Sequence, residues 1–146
     1  MNISNQFKSI INELIVFDEK EKVKTCNLIG VNAHTLTLAK EYGIIPSTRS
    51  LIKIADYLNV SIDFLLGYTE DDTYFASKNL SSFAERLNIL INNEKTSKYK
   101  LAQKWHIDKS YITKWLKGEN IPSINSLEII ADYFNVSIDY LLGRAD

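Results

Sequence analysis

Apolar residues recur three and four positions apart through most of this chain, and the pattern is clearest between residues 98 and 123. Leu101, Ala102 and Trp105 fall on one helical face, and Ile112, Trp115 and Leu116 on a second. His106, Ile107 and Asp108 interrupt the two. The spacing predicts helices near 98–105 and 109–117. Asp108 suits the N-cap of the later one, because its carboxylate can accept the free backbone N–H groups of the first turn. Gly118 suits its end, and Ala102 is small where two helices must approach closely. The same periodicity predicts helices near 4–16, 22–29, 33–41, 49–58 and 62–66, then near 80–92, 125–134 and 138–142. Ser61 and Ser137 read as N-caps, with Asp63 and Asp139 favourably placed in the first turn. Gly67 and Gly143 read as stops, and Pro46 and Pro122 as loop residues where a missing N–H costs little.

Shifted by 76 residues, the sequence matches itself without a gap: Phe7 falls on Phe83, Leu14 on Leu90, Pro46 on Pro122 and Gly67 on Gly143. From Ile45 to Gly67, 17 of 23 positions are identical to Ile121 to Gly143. From Phe7 to Ile44 only 7 of 38 match, so the copies diverge in their second and third helices. The expected architecture is all-α, with two copies of one helical unit: residues 1–70, a linker over 71–79, and residues 80–146. The acidic run Glu70-Asp71-Asp72 where the linker begins reads as solvated chain. Leu51, Ile54, Ala55, Leu58, Val60, Ile62, Leu65 and Leu66 read as core.

Two short helices about a tight turn describe a helix-turn-helix. The order Leu101-Ala102, Ile107, Asp108, Lys109-Ser110, Ile112, Thr113-Lys114-Trp115, Gly118, Pro122-Ser123 resembles the Cro/phage-repressor (XRE) family. The run Ile130 to Gly143 resembles the last two helices of that family's five-helix domain. The resemblance covers about residues 80 to 144, and His106 stands where the family usually has Gly. It implies two tandem five-helix lambda-repressor-like domains and duplex DNA as partner. It also implies roles. Lys109, Ser110, Thr113 and Lys114 would face the major groove and read bases, with Lys109 or Lys114 donating to guanine. Lys98, Tyr111, Lys117 and Asn120 would meet phosphate, Tyr111 alternatively touching a thymine methyl or lying against lysine side chains.

Charge sharpens this picture by its distribution. The whole chain carries a formal net charge of −1. Yet 95–117 holds seven Lys against one acid, whereas 19–41 holds four Lys and three Glu. Lysine neutralises phosphate and releases counterions. The first copy keeps the frame, with Gly30 in the turn and Asn32 as N-cap, but replaces Lys109, Ser110, Lys114 and Lys117 by Ala33, His34, Leu38 and Glu41. Tyr42 stands for Gly118 and Thr25 for Leu101. Leu36 and Leu38 read as apolar residues on the groove side, a surface that suits a protein partner better than DNA.

Other chemistries find little support. His34 and His106 have no Cys or acidic residues at metal-ligand spacing, and neither a phosphate loop nor a nucleophile elbow is present. No enzyme activity and no cofactor are expected. Cys26, the single cysteine, sits at the position of Ala102 and reads as a small buried residue. No signal segment or long apolar run occurs, so a cytoplasmic protein off the membrane is expected. The resulting expectation is a sequence-specific transcriptional regulator, a repressor acting as a homodimer through its second unit. The alternative is a protein–protein adaptor, antitoxin-like or anti-repressor.

Overall fold

A computed structural model describes residues 2–146. The described residues form ten helices and no named strand. They are α1 (Asn5–Leu14), α2 (Lys22–Ile29), α3 (Ala33–Tyr42), α4 (Thr48–Leu58), α5 (Ile62–Leu65), α6 (Phe83–Asn93), α7 (Lys98–Trp105), α8 (Lys109–Leu116), α9 (Ile124–Phe134) and α10 (Ile138–Leu141). The chain divides into two compact units, the first ending at Tyr74 and the second beginning at Phe75.

The helix starts follow side-chain capping. Ser61 Oγ accepts the Phe64 N–H at 3.0 Å, Ser137 Oγ the Tyr140 N–H at 2.9 Å, and Asn32 Oδ1 the Thr35 N–H at 2.7 Å. Each such cap satisfies a donor with no intrahelical partner, worth about 1 kcal/mol. Capping also explains where the boundaries depart from the periodicity. Ser82 Oγ accepts the Glu85 N–H at 3.2 Å and its hydroxyl donates to the Glu85 carboxylate at 3.3 Å, a side-chain cap that starts α6 at Phe83. Leu80, expected inside that helix, lies in the preceding loop and is fully exposed. At the end of α1 the backbone turns extended at Ile15, two residues earlier than expected.

In the first unit α1 packs on α3 and α5, and α2 on α3 and α4. Phe7, Ile11, Leu36, Leu51, Ile54, Ile62 and Leu65 are fully buried there. Leu36 is therefore core, not a groove-side residue. The 76-residue shift puts it on Ile112, which is also fully buried. α3 runs to Tyr42 and ends at Gly43, whose φ of 70° favours glycine. The residues before α1 lie over this end: the Ser4 N–H donates to the Gly43 carbonyl at 2.9 Å and the Ile45 N–H to the Asn2 carbonyl at 2.9 Å. A Cβ on Gly43 would lie 2.5 Å from the Ser4 carbonyl oxygen, so the close approach also requires glycine. Thr25 stands in α2 where α7 has the fully buried Leu101. Beside it opens a cleft of about 530 Å³ lined by Leu14, Val16, Lys24, Leu28 and Tyr57 among others.

In the second unit α6 packs on α8 and α10, α7 on α8, and α9 on α10. Leu87, Leu101, Ile112, Leu127 and Leu141 are fully buried, each burial worth about 1.5–3 kcal/mol before entropy is charged. Two buried arginines tie the ends of this unit together. Arg86 donates to the carbonyls of Tyr140 (3.0 Å) and Ala145 (2.9 Å) and to Ser81 Oγ (2.8 Å), with its guanidinium 4.4 Å from the Tyr140 ring centroid. Arg144 forms a buried ion pair with Asp139, so Asp139 does more than favour a helix start.

Candidate nucleic-acid interface

α7 and α8 meet at a turn whose geometry follows from residues 106–108. His106 ends α7 in the left-handed region, with φ of 54°. The following Ile107 N–H reaches back to the Ala102 carbonyl at 3.1 Å, so the chain reverses without orphaning that acceptor. Asp108 then starts α8 by accepting the Ser110 N–H at 2.8 Å. That backbone bond, the Ser110 hydroxyl and the nearby Lys109 charge hold the Asp108 carboxyl below the usual aspartate range.

Burial fixes which side of α8 faces outward. Ile112 and Trp115 are buried, and Trp115 meets Phe83 of α6 edge-on at 6.4 Å. Trp105 packs edge-on against Tyr133 at 5.6 Å and Phe134 at 6.4 Å, which anchors α7 on α9. Both tryptophans thus pack against aromatic rings of their own unit. With 3.6 residues per turn, the side opposite Ile112 and Trp115 carries Ser110, Thr113, Lys114 and Lys117, flanked by Lys109. Lys109, Ser110, Lys114 and Lys117 are exposed, and Thr113 is half-buried. Tyr111 lies on a flank, exposed, and Asn120 is exposed in the loop after α8. That loop turns at Gly118, with φ of 76°, and the Glu119 N–H caps the Lys114 carbonyl at 3.0 Å.

One subset of the expected residues forms a connected cluster. Lys98 Nζ, at the start of α7, donates to Thr113 Oγ1 across the helix pair at 3.3 Å. Thr113 Oγ1 in turn donates to the Lys109 carbonyl at 3.1 Å. Tyr99 completes the cluster, its ring centroid 4.9 Å from Lys109 Nζ and 5.6 Å from Lys98 Nζ. Sequence reasoning passed over Tyr99 and placed a lysine-flanked aromatic at Tyr111 as one option. The available signal was the Lys98-Tyr99-Lys100 run. Lys104, part of the lysine-rich stretch, leans instead over Tyr133, 5.7 Å from its centroid.

The first unit repeats part of this arrangement. Lys22 Nζ donates to Thr37 Oγ1 at 2.6 Å, the same pairing 76 residues earlier. The outward face of α3 otherwise carries Ala33, His34 and Glu41, all exposed, and the half-buried Leu38. Among the described residues no group of three or more His, Cys, Asp or Glu side chains is arranged to hold a metal ion. No helix there is long and apolar enough to cross a membrane.

Comparison with known proteins agrees with this geometry. Residues 87–141, which include α7 and α8, match the family model described as helix-turn-helix. Over 61 residues the chain is 33% identical to the HTH-type transcriptional activator BcrR of Enterococcus faecalis. That similarity covers 42% of this chain and 30% of BcrR, so the chain spans less than a third of that relative's length. No solved structure matches the chain.

Proposed function

We propose that this protein is a DNA-binding transcriptional regulator that lays α8 in the major groove of duplex DNA. The observation that carries the reading is the outward face of α8. It presents Lys109, Ser110, Thr113, Lys114 and Lys117 opposite a buried Ile112–Trp115 stripe, in a segment that matches the helix-turn-helix family. Lys109, Ser110, Thr113 and Lys114 are assigned to base edges. Lys98, Tyr111, Lys117 and Asn120 are assigned to phosphate, which fixes register without reading sequence. The chain acts as a homodimer, each protomer supplying one reading helix. The target is then an inverted repeat with half-sites about 34 Å apart or a multiple. Repression is the outcome assigned to occupancy of that site. Gel shifts against genomic fragments at low and moderate salt test the reading. Specific retention of one fragment supports it, and absence of any retained fragment overturns it.

The first unit is assigned to association, as a copy that kept the frame and lost the reader. The exposed Leu14, Val16, Leu28 and Tyr57 around the cleft beside Thr25 support this. A fragment of residues 75–146 should then recognise the same sequence more weakly and with steeper dependence on protein concentration. The same cleft favours the second reading, a protein–protein adaptor. A chain that binds no duplex yet forms a stoichiometric complex with a partner protein would establish that reading instead.

A further inference from the structure

We propose that Tyr99 is a positioning residue of the DNA-reading face: its ring holds the Lys109 ammonium, together with that of Lys98, at the junction of α7 and α8. The proposal rests on the DNA-binding reading above. Both ammonium nitrogens lie within 5.6 Å of one ring centroid, inside the roughly 6 Å over which a cation is attracted to an aromatic face. Lysine has a long flexible stem, and the ring removes part of its freedom before DNA arrives.

Comparison of the two units separates this role from a folding role. Tyr99 is 58% exposed, and its counterpart Val23 is 65% exposed, so the position is not part of either core. The Lys–Thr bond across the helix pair forms in both units, Lys98 to Thr113 and Lys22 to Thr37. In the first unit it forms with Val23 alone, so that bond does not require an aromatic ring. What accompanies the ring is Lys109: where Tyr99 becomes Val23, Lys109 becomes Ala33. Thr113 already anchors Lys98, whereas Tyr99 supplies the aromatic face for Lys109. The loss of that face should therefore be felt most at the base pair Lys109 reads.

The test uses the full chain. In proton NMR the Lys109 ε-methylene resonances should be ring-current shifted in the wild type and in Tyr99→Phe, and should return to ordinary lysine positions in Tyr99→Leu. On an operator fragment Tyr99→Phe should bind like the wild type. Tyr99→Leu should bind about two- to fivefold more weakly, the range expected of an exposed cation–aromatic contact. The loss should fall on one base pair of each half-site. In a Lys109→Ala background the same change should cost less than about twofold, because the partner is already gone. Unshifted Lys109 resonances in the wild type, or full affinity and selectivity in Tyr99→Leu, would overturn the proposal alone. Failure of Tyr99→Phe to retain binding would also overturn it, since the ring and not the hydroxyl is invoked. A wild-type chain that binds no duplex would sink the underlying reading and this proposal with it, and the NMR shifts would still tell the two failures apart.

Discussion

Replacing Lys98 by alanine tests how the second unit engages the DNA backbone and how many chains do so. Lys98 and Lys117 are the two charged side chains assigned to phosphate in each protomer. Each phosphate neutralised contributes about 0.9 to the slope of log K against log salt. A dimer engages about four such phosphates, for a slope near −3.6, and loses roughly 150-fold in affinity between 50 and 200 mM salt. Lys98→Ala removes two of the four, so the slope falls to about −1.8 and the loss to roughly 12-fold. A monomer would show a change of only about 0.9, which makes the slope difference a count of bound chains. The substitution should leave the fold intact, because Thr113 keeps its bond to the Lys109 carbonyl at 3.1 Å. Fluorescence anisotropy on one labelled operator across a salt series is sufficient. Tyr111→Phe and Asn120→Ala serve as neutral controls, expected to weaken binding without moving the slope. An unchanged slope, with affinity lost only on the specific sequence, would refute the phosphate assignment and make Lys98 a base contact.

Three further outcomes follow from the same geometry. Lys114→Ala should cost about 1–3 kcal/mol at the specific site and relax discrimination at one base pair, read by competition with single-base variants; specific binding that survives Lys109→Ala with Lys114→Ala would place the reading helix elsewhere. His106→Gly should stabilise the second unit by about 0.5–1 kcal/mol in urea titration, because a side chain at φ of 54° carries strain that glycine avoids; a loss of stability would show that the imidazole contributes a contact. The Asp108 carboxyl should titrate below the ordinary value of about 3.9 by NMR. Its contribution to stability is then complete above that value and lost as pH falls through the lowered pKa, so Asp108→Asn should flatten that part of the acid limb.

Most of the helical frame was legible because it is written in local chemistry. Serine, asparagine and aspartate caps, glycines in the left-handed region and apolar spacing act within a few residues of where they stand. The end of α1 was placed two residues too far along because Leu14, Ile15 and Val16 continue an apolar run past it. Leu36 was misplaced by reading its helix alone, although the internal match to Ile112 already marked it as core. Arg86 escaped notice for another reason: two of its partners are backbone carbonyls, which any sequence supplies, and its counterpart in the first unit is Ile10. Tyr99 depends on how α7 crosses α8, since Lys109 is ten residues away along the chain. Side chains that act across a helix pair are set by packing, and periodicity does not report packing partners.

The contrast between the units follows from what the packing of a helix pair does and does not require. Packing constrains the inward faces, where Leu36 and Ile112 are interchangeable apolar residues of similar volume. It leaves the outward faces free, and there the changes concern charge: Lys109, Lys114 and Lys117 become Ala33, Leu38 and Glu41. The change reaches past side chains. In the second unit the loop after α8 turns at Gly118 and leaves Lys117 and Asn120 exposed. In the first, α3 continues to Tyr42, and residues 2–4 hydrogen-bond across Gly43 and Ile45, using a carbonyl and an amide of the corresponding loop. A phosphate approaching that end would meet Glu41 and a backbone already hydrogen-bonded to residues 2–4. The Lys22–Thr37 bond shows that the inner scaffold of the helix pair persists without this outer surface. Restoring lysines to α3 would therefore not by itself recreate the second unit's face, because the end of the helix has been rebuilt as well as recharged.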